Sequence, residues 1–419
     1  MLDTIDRHVR AFAAHALDVF PVAVIQGARR VGKSTFATML AAGRPHVWFT
    51  LDDEAARQQA LDDPRTFATQ GGDGLLVVDE IQRAPDLLLA IKAAVDRDPR
   101  PGRFLLTGSS DVLRMSSAPD SLAGRAVTIP LMGFSLGEAN GRADDFAHQV
   151  RHRDTWVGHT SAWTRDQYAD AICRGSYPEV RRLDDRDRRL WLTSYLDRVL
   201  RLDSRAVSRS MSAPRLTSIL RLIAANQAGE LVYARLADQL GISAPTVRDY
   251  VDALHTLFLT VSVPPWTANL TKREVGRPTV SVQDSGVAAL MNRATASHLT
   301  ALASAEHFGS LLEGLVTTEL LKQRTWTSEP FEVFKFRDSD GIEVDIVLEF
   351  EDGAVYLIEV KSTQTPRSDS FTSMRKLAAR VGSRFLGGAV LSTTPTSFRQ
   401  DDTLWSLPVS ALWDHTGSR

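Results

Sequence analysis

Polar and apolar positions change period several times along the chain, and each change marks an element. Near the start, Ile5, Val9, Phe12, Ala13, Ala16 and Leu17 recur at helical spacing. The unbroken run Pro21-Val22-Ala23-Val24-Ile25 then reads as a strand buried on both faces. Similar runs recur at 46–51, 75–78, 103–106 and 127–129, with helix-compatible stretches at 36–40 and 84–95. Strands alternating with helices predict a parallel α/β sheet. Residues 140–210 are charged and helix-compatible, with Trp156, Trp163, Tyr168, Trp191 and Tyr195 as expected core anchors. The mixed-sign run at 181–189 reads as a solvated helix face laced with i,i+4 pairs. Around Gly241, a helix stops and Ser243 caps another, with Pro245 in its first turn. That second helix carries Val247, Tyr250, Val251 and Leu254 on one face, and a strand follows at 257–263. This is a winged helix-turn-helix in outline. From Phe331 the period becomes two, giving strands at 331–337, 342–350 and 354–361 with turns at Asp338-Ser339-Asp340-Gly341 and Glu351-Asp352-Gly353.

A chain of 419 residues should hold two to four domains. A hydrophobic share of 43% and a charged share of 24% are ordinary for a soluble protein. The net charge of −2 does not advertise a nucleic-acid binder, although local patches remain open. The single cysteine, Cys173, excludes an intramolecular disulfide and suits a reducing compartment. With no signal-peptide pattern and no apolar run long enough for a bilayer, a cytoplasmic protein without membrane contact is expected.

Chemistry enters after the first strand. Gly27, Ala28, Arg29, Arg30, Val31, Gly32, Lys33, Ser34 and Thr35 follow the spacing GxxxxGK[ST], between a strand and a helix. Glycines let successive N–H groups curl around a polyphosphate, and the helix start adds its positive dipole end. Lys33 is expected to reach the β- and γ-phosphates of ATP and Ser34 to ligate Mg²⁺. The strand at 75–78 ends in Asp79 and Glu80. Asp79 is placed to hold the metal through its water shell, and Glu80 to deprotonate the attacking water. The two motifs in this order imply Mg²⁺-dependent ATP binding and hydrolysis. Ser109, with Thr107 and Ser110 close behind, is the candidate γ-phosphate sensor; simple loop chemistry after a strand is the alternative. Arg125, just ahead of a core strand, is either a finger acting in a neighbouring subunit of a homo-oligomer or a surface arginine paired with a carboxylate.

In the helix-turn-helix, Thr246 and Arg248 could face a DNA groove. Glu230, Asp238, Asp249 and Asp252 outnumber Arg235 and Arg248, which favours interdomain packing or DNA-backbone contact over base reading. At the C-terminal end, a hairpin folded about Asp352 sets Asp345 opposite Glu359 and Glu343 opposite Lys361. The other face, with Ile342, Val344, Ile346, Leu348, Tyr356, Ile358 and Val360, is expected to be the core face. Two carboxylates a strand apart can share Mg²⁺, and a lysine two residues on can activate water or steady a phosphate. Cross-strand charges on an exposed hairpin are the bland alternative.

Two resemblances follow from these residues. Asp345 with Glu359-x-Lys361 resembles the PD-(D/E)xK nuclease signature, and Glu313, in the helical stretch 310–321, matches the acid that such enzymes supply from a preceding helix. The segments 27–35, 76–82, 105–110, 122–125 and Gly175-Ser176-Tyr177-Pro178-Glu179 together resemble bacterial and archaeal AAA-type ATPases carrying a C-terminal domain of unknown function. The last motif departs from the usual Gly-Gly-Tyr-Pro. The resemblance implies an α/β fold built of an AAA-type ATPase core (1–138), a helical lid (139–206), a winged helix (207–268) and a restriction-endonuclease-like domain (269–419). The expected function is an ATP-driven machine on DNA, branched DNA included, whose C-terminal domain binds and could cleave it. The rival is a regulatory nucleotide switch whose C-terminal half binds a protein partner.

Overall fold

The computed structural model describes residues 5–109, 122–152, 156–204, 211–268, 277–301 and 304–414. Five strands, β1 (Val22–Gln26), β2 (His46–Thr50), β3 (Leu75–Asp79), β4 (Phe104–Gly108) and β5 (Ala126–Pro130), form a parallel sheet in the order β2-β3-β4-β1-β5. β4 lies between β3 and β1, the strands that lead into the two nucleotide motifs. The period of two splits each strand between two cores. Ala23, Ile25, Val77 and Leu105 face α1 (Arg10–Val19) and α2 (Lys33–Ala41), while Val22, Val24, Leu76 and Leu106 face α5 (Leu87–Arg97). The helices α3 (Glu54–Asp62) and α4 (Pro64–Phe67) close the β2 side, each N-capped by an aspartate, Asp53 or Asp63.

Beyond the short helices α6 (Leu136–Asn140) and α7 (Phe146–His152) comes a helical layer. In it α8 (Arg165–Arg174) packs against α13 (Ser285–Met291) and α14 (Ala296–Thr300), and α9 (Asp185–Arg198) packs beside them. Residues 285–300 therefore belong with this layer, although the sequence reading began the last domain at 269. The cause is a contact between distant segments: Gly175 and Gly286 touch, and a Cβ on Gly286 would lie 3.0 Å from the Gly175 Cα. Asp284 locks the contact by accepting from the N–H and the hydroxyl of Ser176, both at 2.7 Å. Trp156, Tyr168 and Tyr195 are buried, and Trp163 and Trp191 pack partly buried against the same core.

The charged run at 181–189 is a solvated face only in part: Arg182, Asp184, Asp185, Arg186 and Asp187 are exposed, but two of its arginines turn inward. Arg188 is buried against Asp185, and Arg189 donates to the Ala294 carbonyl at 3.1 Å. Arg181 and Arg182 line the nucleotide cleft. The cleft and the helix junction claim these arginines because the segment begins a packed helix.

Helices α10 (Ala213–Ala225), α11 (Tyr233–Leu240) and α12 (Ala244–Thr256) precede β6 (Thr260–Val263). This strand pairs antiparallel with β7 (Thr279–Val282), beyond the boundary expected at 268. The Ser243 hydroxyl caps α12 through the Thr246 N–H at 3.2 Å.

The long helix α15 (Ala305–Gln323) leads into β8 (Phe331–Arg337), β9 (Glu343–Phe350) and β10 (Val355–Lys361). Then come α16 (Thr372–Val381), β11 (Phe385–Ser392), β12 (Phe398–Arg399) and β13 (Leu404–Pro408), in a sheet ordered β12-β13-β11-β10-β9-β8. The hairpin register is the expected one: Val355 faces Glu349 and Ile358 faces Ile346. Its single core face is a correction. Both faces are covered, and a bulge places Asp345 and Ile346 against Lys335, since Phe336 pairs with Val344 but Phe334 with Val347. Ile342 and Val344 therefore join Val347, Val355 and Leu357 under α16, while Ile346, Leu348, Tyr356, Ile358 and Val360 face α15.

Candidate active site

The nucleotide loop leaves the end of β1 and turns into α2 at Gly32, whose φ of 95° is left-handed. Arg30 is also left-handed, at φ 68°. Gly27 lies so close to the next strand's exit that a Cβ there would sit 2.0 Å from the Leu131 carbonyl oxygen. Around the loop opens a cleft of about 1220 Å³, lined by Lys33, Ser34, Asp79 and Glu80 on one side and by Trp191 and Arg198 of α9 on the other.

Lys33 is buried, and its Nζ donates to the Gly27 and Ala28 carbonyls at 3.1 and 3.0 Å. Burial pushes its pKa down to about 8, against the pull of Glu80 and Asp79. The Ser34 hydroxyl lies 2.9 and 3.0 Å from the two oxygens of Asp79. A hydroxyl and a buried carboxylate converging beside the loop fit a hard divalent cation such as Mg²⁺. Thr107, at the end of β4, ties the acids together. Its hydroxyl meets Asp79 at 2.5 Å and accepts from the Glu80 N–H at 3.1 Å. Glu80 itself is left-handed (φ 59°), a strained conformation for a residue with a side chain. The Ser109 hydroxyl reaches Glu80 Oε2 at 3.2 Å, and Gln82 bonds both residues. Ser110 falls outside the described residues.

Arg125 stands elsewhere. It precedes Ala126, which pairs with Val22 at the start of β1, whereas the loop follows Gln26. That separates it from the loop by about 13 Å along the strand. Its Nε meets Asp96 at 2.6 Å, so within one chain it cannot enter its own cleft.

The sequence did not reveal the frame that holds the loop. Arg7 donates to the Val31 carbonyl at 3.2 Å, to Met132 at 2.6 Å and to Glu138 at 3.1 Å. Tyr195 donates to the Arg29 carbonyl at 3.1 Å and receives Tyr177 at 3.0 Å. The tyrosine of the 175–179 motif thus reaches the nucleotide loop through α9, and Pro178 sits 3.9 Å from where a Gly32 Cβ would be.

A second cluster gathers at the bulge. Asp345 Oδ2 accepts from the Val360 N–H at 2.8 Å, and Lys361 Nζ donates to Glu359 at 2.5 Å. Glu313 of α15 meets Lys335 at 2.8 Å, and Lys335 reaches Glu343 at 3.1 Å and the Ala228 carbonyl at 2.9 Å. Desolvation, then the charge of Asp345, raises Glu313 to about 8 and Glu359 to about 7. Burial alone would lower Lys335, but Glu313 and Asp345 hold it above its usual value. Among the described residues, Glu359 Oε2 is buried without a hydrogen-bond partner. The expected residues do come together. Lys335, at the centre, was not among them.

Three family models match the chain: an AAA domain over residues 19–140, and domains of unknown function over 165–298 (DUF8612) and 308–412 (DUF4143). Uncharacterized proteins of Mycobacterium tuberculosis and Mycobacterium bovis are each 26% identical over 407 residues, covering 97% of this chain and 84% of theirs. Among solved structures, a Walker-type ATPase of Pyrococcus abyssi shares 16% identity at a TM-score of 0.44, over 69% of this chain and 96% of that one. AMPPCP-bound DnaA from Aquifex aeolicus shares 10% at 0.28, over 59% and 86%. Among the described residues no helix is long and apolar enough to cross a membrane. With the loop, the paired acids and the matched model agreeing, residues 19–140 are a P-loop ATPase domain of the AAA type.

Proposed function

We propose that the protein is a Mg²⁺-dependent ATPase whose nucleotide cycle acts on DNA through its C-terminal half. The observation that carries the ATPase chemistry is the junction of Ser34, in the first turn of α2, with Asp79, Glu80 and Thr107 at the ends of the adjacent strands β3 and β4. Bound Mg²⁺ would neutralise charge on the phosphates, held by Ser34 directly and by Asp79 through water. Lys33 turns from the loop carbonyls to the phosphates, Glu80 takes the proton of the attacking water, and Ser109 orients Glu80. Loss of turnover on chelating the metal, and in Glu80→Gln with ATP binding retained, tests this part.

The DNA half of the reading rests on the C-terminal order helix, three strands, helix, strand, with Glu313, Asp345, Glu359 and Lys361 at one end of the sheet. That order supports a restriction-endonuclease-like domain, and α10–α12 with the β6–β7 ribbon support a winged helix. A second reading is favoured by Lys335. A lysine bridging Glu313 and Glu343 supplies the positive charge a metal would bring, which suits a domain that grips a partner without cutting. ATPase rates measured with duplex, single-stranded and junction DNA at several salt concentrations separate the two. A salt-sensitive rise on any DNA supports the first; rates indifferent to all of them favour a protein-binding switch.

A further inference from the structure

We propose that His148, His152 and Glu329 form a transition-metal site of the zinc class, which staples α7 to the loop entering β8. Among the described residues they are the one group of histidine, cysteine and acidic side chains whose ligand atoms all lie within 4.8 Å of one another. Four residues apart on a helix, the two histidines share a face, and their ring centroids are 4.5 Å apart. His152 Nε2 lies 2.6 Å from Glu329 Oε1. The loop that brings Glu329 is fixed independently of any ligand. Asp145, just before α7, accepts from Thr327 Oγ1 at 2.6 Å, from the Ser328 N–H at 3.0 Å and from Ser328 Oγ at 3.3 Å. Trp326 adds a bond to the Asp144 carbonyl at 2.7 Å. Ser328 Oγ also engages His148 Nδ1 at 3.1 Å, which directs the Nε2 of that ring to the metal.

Arg151, the nearest cation, does not compete for the ligand oxygen. It holds Glu329 Oε2 at 3.2 Å, which leaves Oε1 turned to the histidines, and its own charge is met by Asp352 at 2.7 Å. Two imidazoles and one carboxylate select zinc or a similar ion over Mg²⁺, and they leave a fourth position for water. Both histidines are exposed, so the ion enters from solvent. Nothing in this site touches the nucleotide cleft or the acid cluster at the bulge.

Cobalt(II) is the probe, since its visible absorption reports coordination by nitrogen ligands. The full chain, stripped with EDTA and free of nucleotide, should develop a saturable absorption band that Zn²⁺ displaces. Zn²⁺ should also raise the melting temperature. His148→Ala and His152→Ala should lose the band, and Asp145→Asn should weaken Co²⁺ binding roughly tenfold or more. Melting temperatures of the variants in EDTA equal to that of the wild type establish that they fold. Absence of the band in the wild type, or an undiminished band in the folded double-histidine variant, overturns the proposal.

Discussion

Tyr195 on α9 donates its hydroxyl to the carbonyl of Arg29, 3.1 Å away in the nucleotide loop. A loop carbonyl turned outward leaves the neighbouring N–H groups free to face phosphate. Burial raises the pKa of Tyr195 and of Tyr177 behind it, so both stay neutral and able to donate. Tyr195→Phe strips Arg29 of its donor and orphans the buried Tyr177 hydroxyl, at a cost of about 1–3 kcal/mol. A lower melting temperature is expected, with weaker ATP binding and a smaller change in kcat. Thermal melts and nucleotide titrations check this; unchanged affinity would show that the loop holds its shape without the tyrosine.

Lys33 gives the nucleotide site a pH dependence. Its folded pKa of about 8 lies below the ordinary 10.5, because burial disfavours the cation. Between those values the unfolded chain binds more protons, so this group makes stability rise with pH across that window. ATP binding runs the other way, because the phosphates need the charged form. Above about pH 8, affinity should fall by as much as ~10-fold per pH unit, with a proton taken up on binding. Lys33→Met should bind weakly at every pH. A wild-type affinity that stays flat from about pH 7 to 10 would remove Lys33 from phosphate contact.

Arg125 can serve ATP hydrolysis only in another subunit, since it sits at the opposite end of β1 from its own loop. Arg125→Ala and Lys33→Ala should each be inactive alone. Mixed, they should recover part of the activity through interfaces that join a sound loop to a sound arginine. Asp96→Ala should leave the finger in place while removing its partner at 2.6 Å. Full activity in a protein shown to be monomeric by light scattering would end the trans reading.

The sequence disclosed the parts whose physics is local. Gly27 to Thr35 and the end of β3 are contiguous motifs, and the hairpin register follows from a two-residue period and one turn. Contacts made by distant segments were not legible. Arg7 meets Glu138 across 131 positions, and Tyr195 meets Arg29 across 166. Lys335 looked like any polar residue of an alternating strand; it shares the face of Phe331 and Val333, and its partner Glu313 lies 22 positions away on α15. The placement of 285–300 was hidden for a similar reason: it rests on two glycines touching, which carry no periodic signal. The run at 181–189 was read only in part, because composition cannot say which arginines of a largely solvated segment, here Arg188 and Arg189, pack inward.

The bulge cluster allows the most discriminating prediction. Glu313, raised to about 8 by burial and by Asp345, binds a proton that the unfolded chain has already lost. Between about pH 4.5 and 8 the native state therefore holds the extra proton, and stability falls as pH rises through that range. Glu313→Gln should flatten the slope in melts taken across it. Above about pH 8, where Glu313 is charged, Lys335→Ala leaves Glu313 and Glu343 without their cation and should cost about 3–5 kcal/mol; Glu313→Gln in the same chain should recover part of that. If the domain is a nuclease, Mg²⁺ or Mn²⁺ must take over the lysine's electrostatic role. Divalent ions should then stabilise Lys335→Ala more than the wild type, and Glu359→Ala should abolish metal-dependent cutting while ATPase activity stands. If the domain only grips, Glu359→Ala should change binding, with no cutting by either protein. Lys335→Ala melts indifferent to both ions, together with DNA binding unaffected by Glu359→Ala, would exclude both roles for the cluster and leave Lys335 as a structural counter-ion.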